Sequence, residues 1–224
     1  MTRGLFVTGT DTGIGKTCAS AALLHALRAR GLRASGMKPV ASGCRVTPGG
    51  LRNDDAEALL AASDPAPAYA DCNPFALAEP IAPHIAARIA GVDIDPAVVV
   101  AAFARIAEGC ERVVVEGVGG WAVPLSGHVM QADLVRALGV PVVLVVGMRL
   151  GCLNHALLSA RAIAADGCVL AGWIANRVDP AMPFVEANLH TLQSRIPAPL
   201  LGVIGHAPAF DARVAAGMLD VDPL

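Results

Sequence analysis

The chain has 224 residues, 54% of them hydrophobic and 16% charged, with a formal net charge of −2. This composition excludes a disordered polymer, and the near balance of charge excludes a basic face for nucleic acid or an anionic membrane. Aromatic residues make up only 4%, so the expected core is Ala, Val, Leu and Ile.

Mean hydropathy is +0.56, yet no apolar run approaches the roughly 20 residues that span a bilayer. The longest, from Val140 to Met148, is interrupted by Pro141 and Gly147. The first residues carry no signal-peptide pattern. Cys18, Cys44, Cys72, Cys110, Cys152 and Cys168 are scattered without a Cys-x-x-Cys pair, which reads as reduced, mostly buried thiols in a cytoplasmic protein.

In chain order, Leu5–Val7 reads as a strand, Thr17–Arg30 as a helix and Ala34–Met37 as a second strand. A helix is expected after Asp54, with Asp54 and Glu57 at capping-box spacing. Ser63–Pro83, with five prolines, reads as an irregular surface excursion. Pro96–Glu108 is helical, Arg112–Glu116 a strand, Ala132–Leu138 a helix and Pro141–Val146 a strand. Then follow helix Leu153–Ala165, strand Val169–Ala175, helix Phe184–Arg195, strand Leu200–Ile204 and a poorly patterned tail after Ala207. Strands apolar throughout, alternating with crossover helices, predict an α/β fold: one domain over residues 1–224, with a mostly parallel central sheet covered by helices on both faces. Ligands of such sheets bind at the carboxyl ends of the strands.

Of the seventeen basic residues, fifteen are arginine; only Lys16 and Lys38 are lysine. Lysine is a compact point charge and arginine a planar fork that needs more room, so both lysines mark candidate sites. Lys16 closes Gly9-Thr-Asp-Thr-Gly-Ile-Gly-Lys-Thr17, which follows a strand and opens a helix, the context of a phosphate-binding P-loop. Its glycines Gly9 and Gly15 are one residue further apart than usual. Lys16 suits the outer phosphates and the Thr17 hydroxyl a Mg²⁺ ion.

Glu116 ends a buried strand and precedes Gly117-Val-Gly-Gly120, as an acid near nucleotide-bound metal would. Asp55 is open between helix-dipole electrostatics, about 0.3–1 kcal/mol, and a functional role. The helix start at Leu153 and Asn154 is equally open between a carboxylate site and an ordinary connection. Cys152 reads as a buried thiol, and the six histidines lack metal-ligand spacing.

Several segments together resemble the dethiobiotin synthetase family: Val7–Thr17, Lys38-Pro-Val-Ala-Ser-Gly43, Gly50-Leu-Arg-Asn-x-Asp55, Ala78-Glu-Pro80 with Pro83-His84, Val115-Glu-Gly-x-Gly-Gly-Trp121 with Pro124-Leu125, Leu150–Ala156, and Gly172-Trp-x-x-Asn176. The long P-loop spacing also looks like this family's. The resemblance implies a P-loop fold, a homodimer, and an ATP- and Mg²⁺-dependent cyclo-ligase that joins 7,8-diaminononanoate and CO₂ into dethiobiotin. It implies Lys38 and Lys16 as catalytic residues and Thr17, Asp55 and Glu116 at the metal.

ATP contacts are implied at Gly13, Ile14, Gly15, Lys16, Thr17, Cys18, Asp55, Glu116, Gly117, Val118, Gly119, Asn176, Arg177, Gly205, His206 and Ala207. Substrate contacts are implied at Thr12, Ser42, Leu153 and Asn154, the last two across the dimer. Gly13 stands where the family commonly has Glu, and Gly205 where proline is common. The alternatives are a nucleotide-switch ATPase of the MinD/ParA type and a homologue weakened in catalysis.

Overall fold

The structure, a computed structural model, describes residues 4–207 and 209–224; residues 1–3 and Pro208 of the expected 1–224 domain lie outside them. In chain order the elements are β1 (Gly4–Gly9), α1 (Lys16–Ala29), β2 (Ala34–Met37), β3 (Val40–Ala41), β4 (Arg45–Thr47), β5 (Gly50–Arg52), α2 (Asp54–Ala62), α3 (Tyr69–Cys72), β6 (Phe75–Ala76), α4 (Pro83–Ala90), α5 (Pro96–Gly109), β7 (Arg112–Glu116), α6 (Gln131–Leu138), β8 (Val142–Gly147), α7 (Cys152–Ala165), β9 (Leu170–Asn176), α8 (Val185–Gln193), β10 (Leu200–Ile204) and α9 (Ala212–Ala216).

Six strands form a sheet in the order β10-β9-β8-β1-β7-β2, with every pairing parallel. β1 is central and buried along its whole length. Alternate residues of a strand face opposite sides, and the core divides accordingly. Phe6, Val113, Val115, Leu144 and Trp173 pack with α5, α6, α7 and α8. Leu5, Val7, Val114, Val143 and Ile174 pack with α1, α2 and α9. Burial on both faces is why these strands read as unbroken apolar runs.

After β1 the chain runs through α1 to the edge strand β2, and β7 returns between them. The loops that follow β1 and β7 therefore emerge side by side at the carboxyl edge.

Four sequence expectations need correction. The cap of α2 is Asn53, whose side chain accepts from the Asp55 and Ala56 amides; Asp54 lies in the first turn and Glu57 pairs outward with Arg45. Ser63–Pro83 is irregular and exposed over much of its length, but within it α3 and β6 form, Cys72 and Leu77 are buried, and β6 pairs with β3. The β4–β5 hairpin and α4 were not expected. The tail after Ala207 contains α9, which packs on α1 and contributes Ala215 to the core.

Candidate active site

The P-loop leaves β1 and enters α1 through Gly15, a left-handed residue at φ 81°. A Cβ there would stand 2.1 Å from Asn176 Nδ2, so the position requires glycine on both counts. Asn176, at the end of β9, donates from Nδ2 to the Ile14 carbonyl at 2.7 Å, and Ile14 itself is buried. The loop is thus clamped from the β9 side. Lys16 Nζ bends back to the Asp11 carbonyl at 2.9 Å. Burial, reinforced by the Lys38 charge, lowers the Lys16 ammonium to about 8. Arg149 pairs with the Asp11 carboxylate across the loop mouth.

The second lysine is at the centre of the polar cluster. Lys38 is 3% exposed, and its Nζ reaches Glu116 Oε1 at 2.6 Å, Asp55 Oδ2 at 3.0 Å and the Gly117 carbonyl at 3.2 Å. An ammonium has three donors, and all three are engaged. Burial alone would pull this group down, but the charges and hydrogen bonds of Glu116 and Asp55 outweigh it and hold Lys38 above the ordinary lysine value. For Asp55, burial pushes upward and Lys38, then Thr17, hold the carboxyl below its usual value. The Thr17 hydroxyl donates to Glu116 Oε1 at 2.9 Å.

Glu116 is fully buried and its other oxygen, Oε2, has no hydrogen-bond partner. A buried unpaired carboxylate oxygen beside a hydroxyl and a second carboxylate is an all-oxygen donor set, of the kind that suits Mg²⁺. Among the described residues there is no group of three or more His, Cys, Asp and Glu for a metal, so any ion here relies on the hydroxyl or on ligand oxygens.

These groups open into a cleft of about 940 Å³ lined by Thr12, Gly13, Gly15–Cys18, Lys38, Ser42, Asp55, Glu116 and Val118–Gly120, with Pro80–Pro83 and Ala122–Pro124 opposite. Ser42 Oγ is buried at this surface without a partner. An unpaired buried hydroxyl is costly, and a ligand atom would satisfy it.

An AAA domain family model matches residues 3–213. The ATP-dependent dethiobiotin synthetase BioD of Xanthomonas euvesicatoria pv. vesicatoria is 60% identical over 94% of this chain and 94% of its own length. The protein of the same name in Xylella fastidiosa is 59% identical over 91% of this chain and 90% of its own. The chain belongs to the ATP-dependent dethiobiotin synthetase family.

Dethiobiotin synthetases are ATP-dependent ligases of biotin biosynthesis. Solved structures add the fold. MinD from Pyrococcus horikoshii, in complex with Mg-ADP, aligns with a TM-score of 0.56 at 18% identity over 100% of this chain and 89% of that one. A ParA family ATPase from Chlorobium tepidum aligns at 0.57 and 13% identity, over 93% and 86%. The chain therefore carries a P-loop NTPase fold. No helix among the described residues is long and apolar enough to cross a membrane.

The sequence-predicted residues fall into three groups in this structure. Thr12, Gly13, Gly15–Cys18, Lys38, Ser42, Asp55, Glu116, Val118 and Gly119 meet at the one cleft. Gly117 backs it, through its carbonyl contact to Lys38. Asn176 lies behind the P-loop; Arg177, whose amide bonds to the Ile204 carbonyl, and Gly205–Ala207 lie at the neighbouring strand ends, outside the cleft lining. Leu153 and Asn154, in the first turn of α7, also lie outside it.

Sequence reasoning missed Tyr69, Cys72 and Asn73. The Lys38 amide donates to the Cys72 carbonyl at 2.7 Å, and Asn73 Nδ2 donates to the Lys38 carbonyl at 2.7 Å. The Tyr69 hydroxyl accepts from the Asn53 amide at 2.8 Å, beside the cap of the helix that carries Asp55. The segment read as an excursion supports both sides of the cluster.

Proposed function

We propose that this chain catalyses the ATP-dependent closure of the ureido ring of dethiobiotin from 7,8-diaminononanoate and CO₂, releasing ADP and phosphate, with residues 1–224 acting as one domain. One substrate amine adds to CO₂ and loses a proton, giving a carbamate. A carbamate oxygen attacks the γ-phosphorus of ATP and ADP leaves, giving a carbamic–phosphoric anhydride. The second amine attacks the anhydride carbonyl, closes the ring and expels phosphate. The phosphoryl transfer brings two anions, carbamate and ATP, together, so charge neutralisation is the main demand of that step on the protein.

The observation that carries this reading is a buried ammonium, Lys38, facing the same cleft as the P-loop and coordinated by Asp55 and Glu116. Lys38 would turn from these carboxylates to the carbamate and the transferring phosphoryl group, while Lys16 meets the β- and γ-phosphates. Thr17, Asp55 and Glu116 would hold Mg²⁺, which when bound neutralises phosphate charge; the unpaired Glu116 Oε2 supports that donor set. Thr12 and Ser42 would contact the carbamate. Asn176, Arg177, Gly205, His206 and Ala207 would surround the base.

The amides at Leu153 and Asn154, in the first turn of α7, would receive the substrate carboxylate from a second copy in a homodimer. Leu150 beside them is 95% exposed, which supports burial against another chain.

The test is incubation with diaminononanoate, bicarbonate, Mg²⁺ and ATP, followed by mass spectrometry. Dethiobiotin formed in step with ADP is expected. ADP release without dethiobiotin would overturn the reading in favour of a nucleotide switch, and no ADP would leave a catalytically weakened homologue.

A further inference from the structure

Gln131, the first residue of α6, is 1% exposed, and the cleft lining does not include it. Its carboxamide uses both ends. Oε1 accepts from the Val118 amide at 2.9 Å, and Nε2 donates to the Gly120 carbonyl at 2.7 Å and to Thr8 Oγ1 at 3.5 Å. One side chain therefore clasps both sides of the turn that follows Glu116.

The Val118 N–H and the Gly117 C=O belong to one planar trans peptide, in which the two bonds point in opposite directions. Holding the N–H fixes where the carbonyl aims, and it aims at Lys38 Nζ, 3.2 Å away. We infer that Gln131 is a positioning residue for the reaction: through the 117–118 peptide it sets the third contact of the Lys38 ammonium and the path of the backbone leaving Glu116.

The close fit around Gly117 supports this. A Cβ at Gly117 would lie 2.6 Å from Gln131 Oε1 and 2.8 Å from the Phe6 ring, so the glycine is what lets the turn reach the carboxamide. Gln131 is itself held. The Asp133 carboxylate accepts from the Met130 amide at 2.7 Å, and the Gln131 amide donates to the Val123 carbonyl at 2.9 Å.

The kinetic part of the inference rests on the proposed ligase function; the structural part does not, and the two are read separately. Because the chain has only two lysines, ¹³C,¹⁵N-lysine labelling of the full ligand-free protein gives one side-chain signal for Lys16 and one for Lys38. In Gln131→Met, similar in length but without either hydrogen bond, the Lys38 signal is expected to move while Lys16 stays. In the wild-type assay background, kcat is expected to fall about tenfold with KM for ATP within about twofold, a split that a general loss of structure does not produce.

Should the Met variant not fold, Gln131→Leu replaces it, since it too removes the acceptor for the Val118 amide and the donor to the Gly120 carbonyl; the Lys38 signal and kcat are again expected to change. A folded variant of either kind with an unmoved Lys38 signal and wild-type kcat overturns the inference. Failure of the wild type to make dethiobiotin removes the ligase reading while the two lysine signals still test the clasp.

Discussion

Lys38 illustrates why a charge-conserving exchange fails at a site whose geometry is already filled. Its three donors meet two carboxylates and a carbonyl inside 3.2 Å, in a pocket with almost no exposed surface. A guanidinium is larger, planar and fixed in its donor directions. Lys38→Arg is expected to bind nucleotide within about threefold of wild type and to lose at least a hundredfold in kcat, about 2.7 kcal/mol of transition-state stabilisation. Equilibrium nucleotide binding beside single-turnover kinetics checks it; near-normal turnover would show that compactness is not what the site needs.

Lys16 makes a different prediction. Buried and repelled by Lys38, it loses its proton near pH 8 in the ligand-free protein, yet an anionic phosphate selects the charged form. Metal-free ADP binding above pH 8 is therefore expected to take up close to one proton, so affinity falls as pH rises. Calorimetry in EDTA at pH 9, in two buffers of different ionisation enthalpy, measures this; a buffer-independent heat contradicts it. The linked stability has the opposite trend. The unfolded lysine keeps its proton to about 10.5, so this group's contribution to ligand-free stability increases between pH 8 and 10.5.

At the scale of elements, legibility tracked how a segment is stabilised. β1, β7, β8 and β9 are buried on both faces and appear in the sequence as apolar runs. α3 and β6 are a few residues long, and what orders them is polar and non-local: the Tyr69 hydroxyl to the Asn53 amide, and Asn73 to the Lys38 carbonyl. No periodicity encodes such contacts, and five prolines suggest a loop. The capping error has the same origin. Asn53 and Asp54 are both good caps, and the choice between them is made where the chain leaves the β4–β5 hairpin.

Lys38 and Glu116 were legible because each stands next to a short motif, whereas Gln131 has no local mark at all. An element-scale prediction follows from Asn73, which is 4% exposed. Asn73→Ala leaves the buried Lys38 carbonyl without this donor, a loss of ~1–3 kcal/mol. It should also lower kcat more than the ATP KM, because Lys38 loses one side of its backbone support. Chemical denaturation and steady-state kinetics together check it; unchanged stability with unchanged kcat would return this segment to the status of a surface loop.

At the scale of the whole molecule, the fold places two loops from adjacent parallel strands at one edge, and the ligand-free charge balance is closed internally. Lys38 is the shared counter-ion of buried Glu116 and half-exposed Asp55, and Lys16 turns back to its own loop at the Asp11 carbonyl. A bare divalent cation would have to compete with an ammonium already 2.6 Å from Glu116, and gains only the unpaired Oε2. On the proposed function a nucleotide would change that balance, its phosphates drawing both lysines outward and supplying further oxygens to the ion. Mg²⁺ alone is therefore expected to stabilise the protein weakly, and Mg²⁺ with a non-hydrolysable ATP analogue strongly.

At a hundredfold excess over Kd the linkage contributes about 2.7 kcal/mol, which for a chain of this size is a rise in Tm of roughly 5–10 °C. Differential scanning calorimetry with Mg²⁺, with analogue, and with both gives the three values, and EDTA added to the complete mixture should return Tm toward that of analogue alone. If Mg²⁺ by itself raised Tm as far as the pair did, the carboxylates would be a preformed metal site and Lys38 would not be their resting counter-ion.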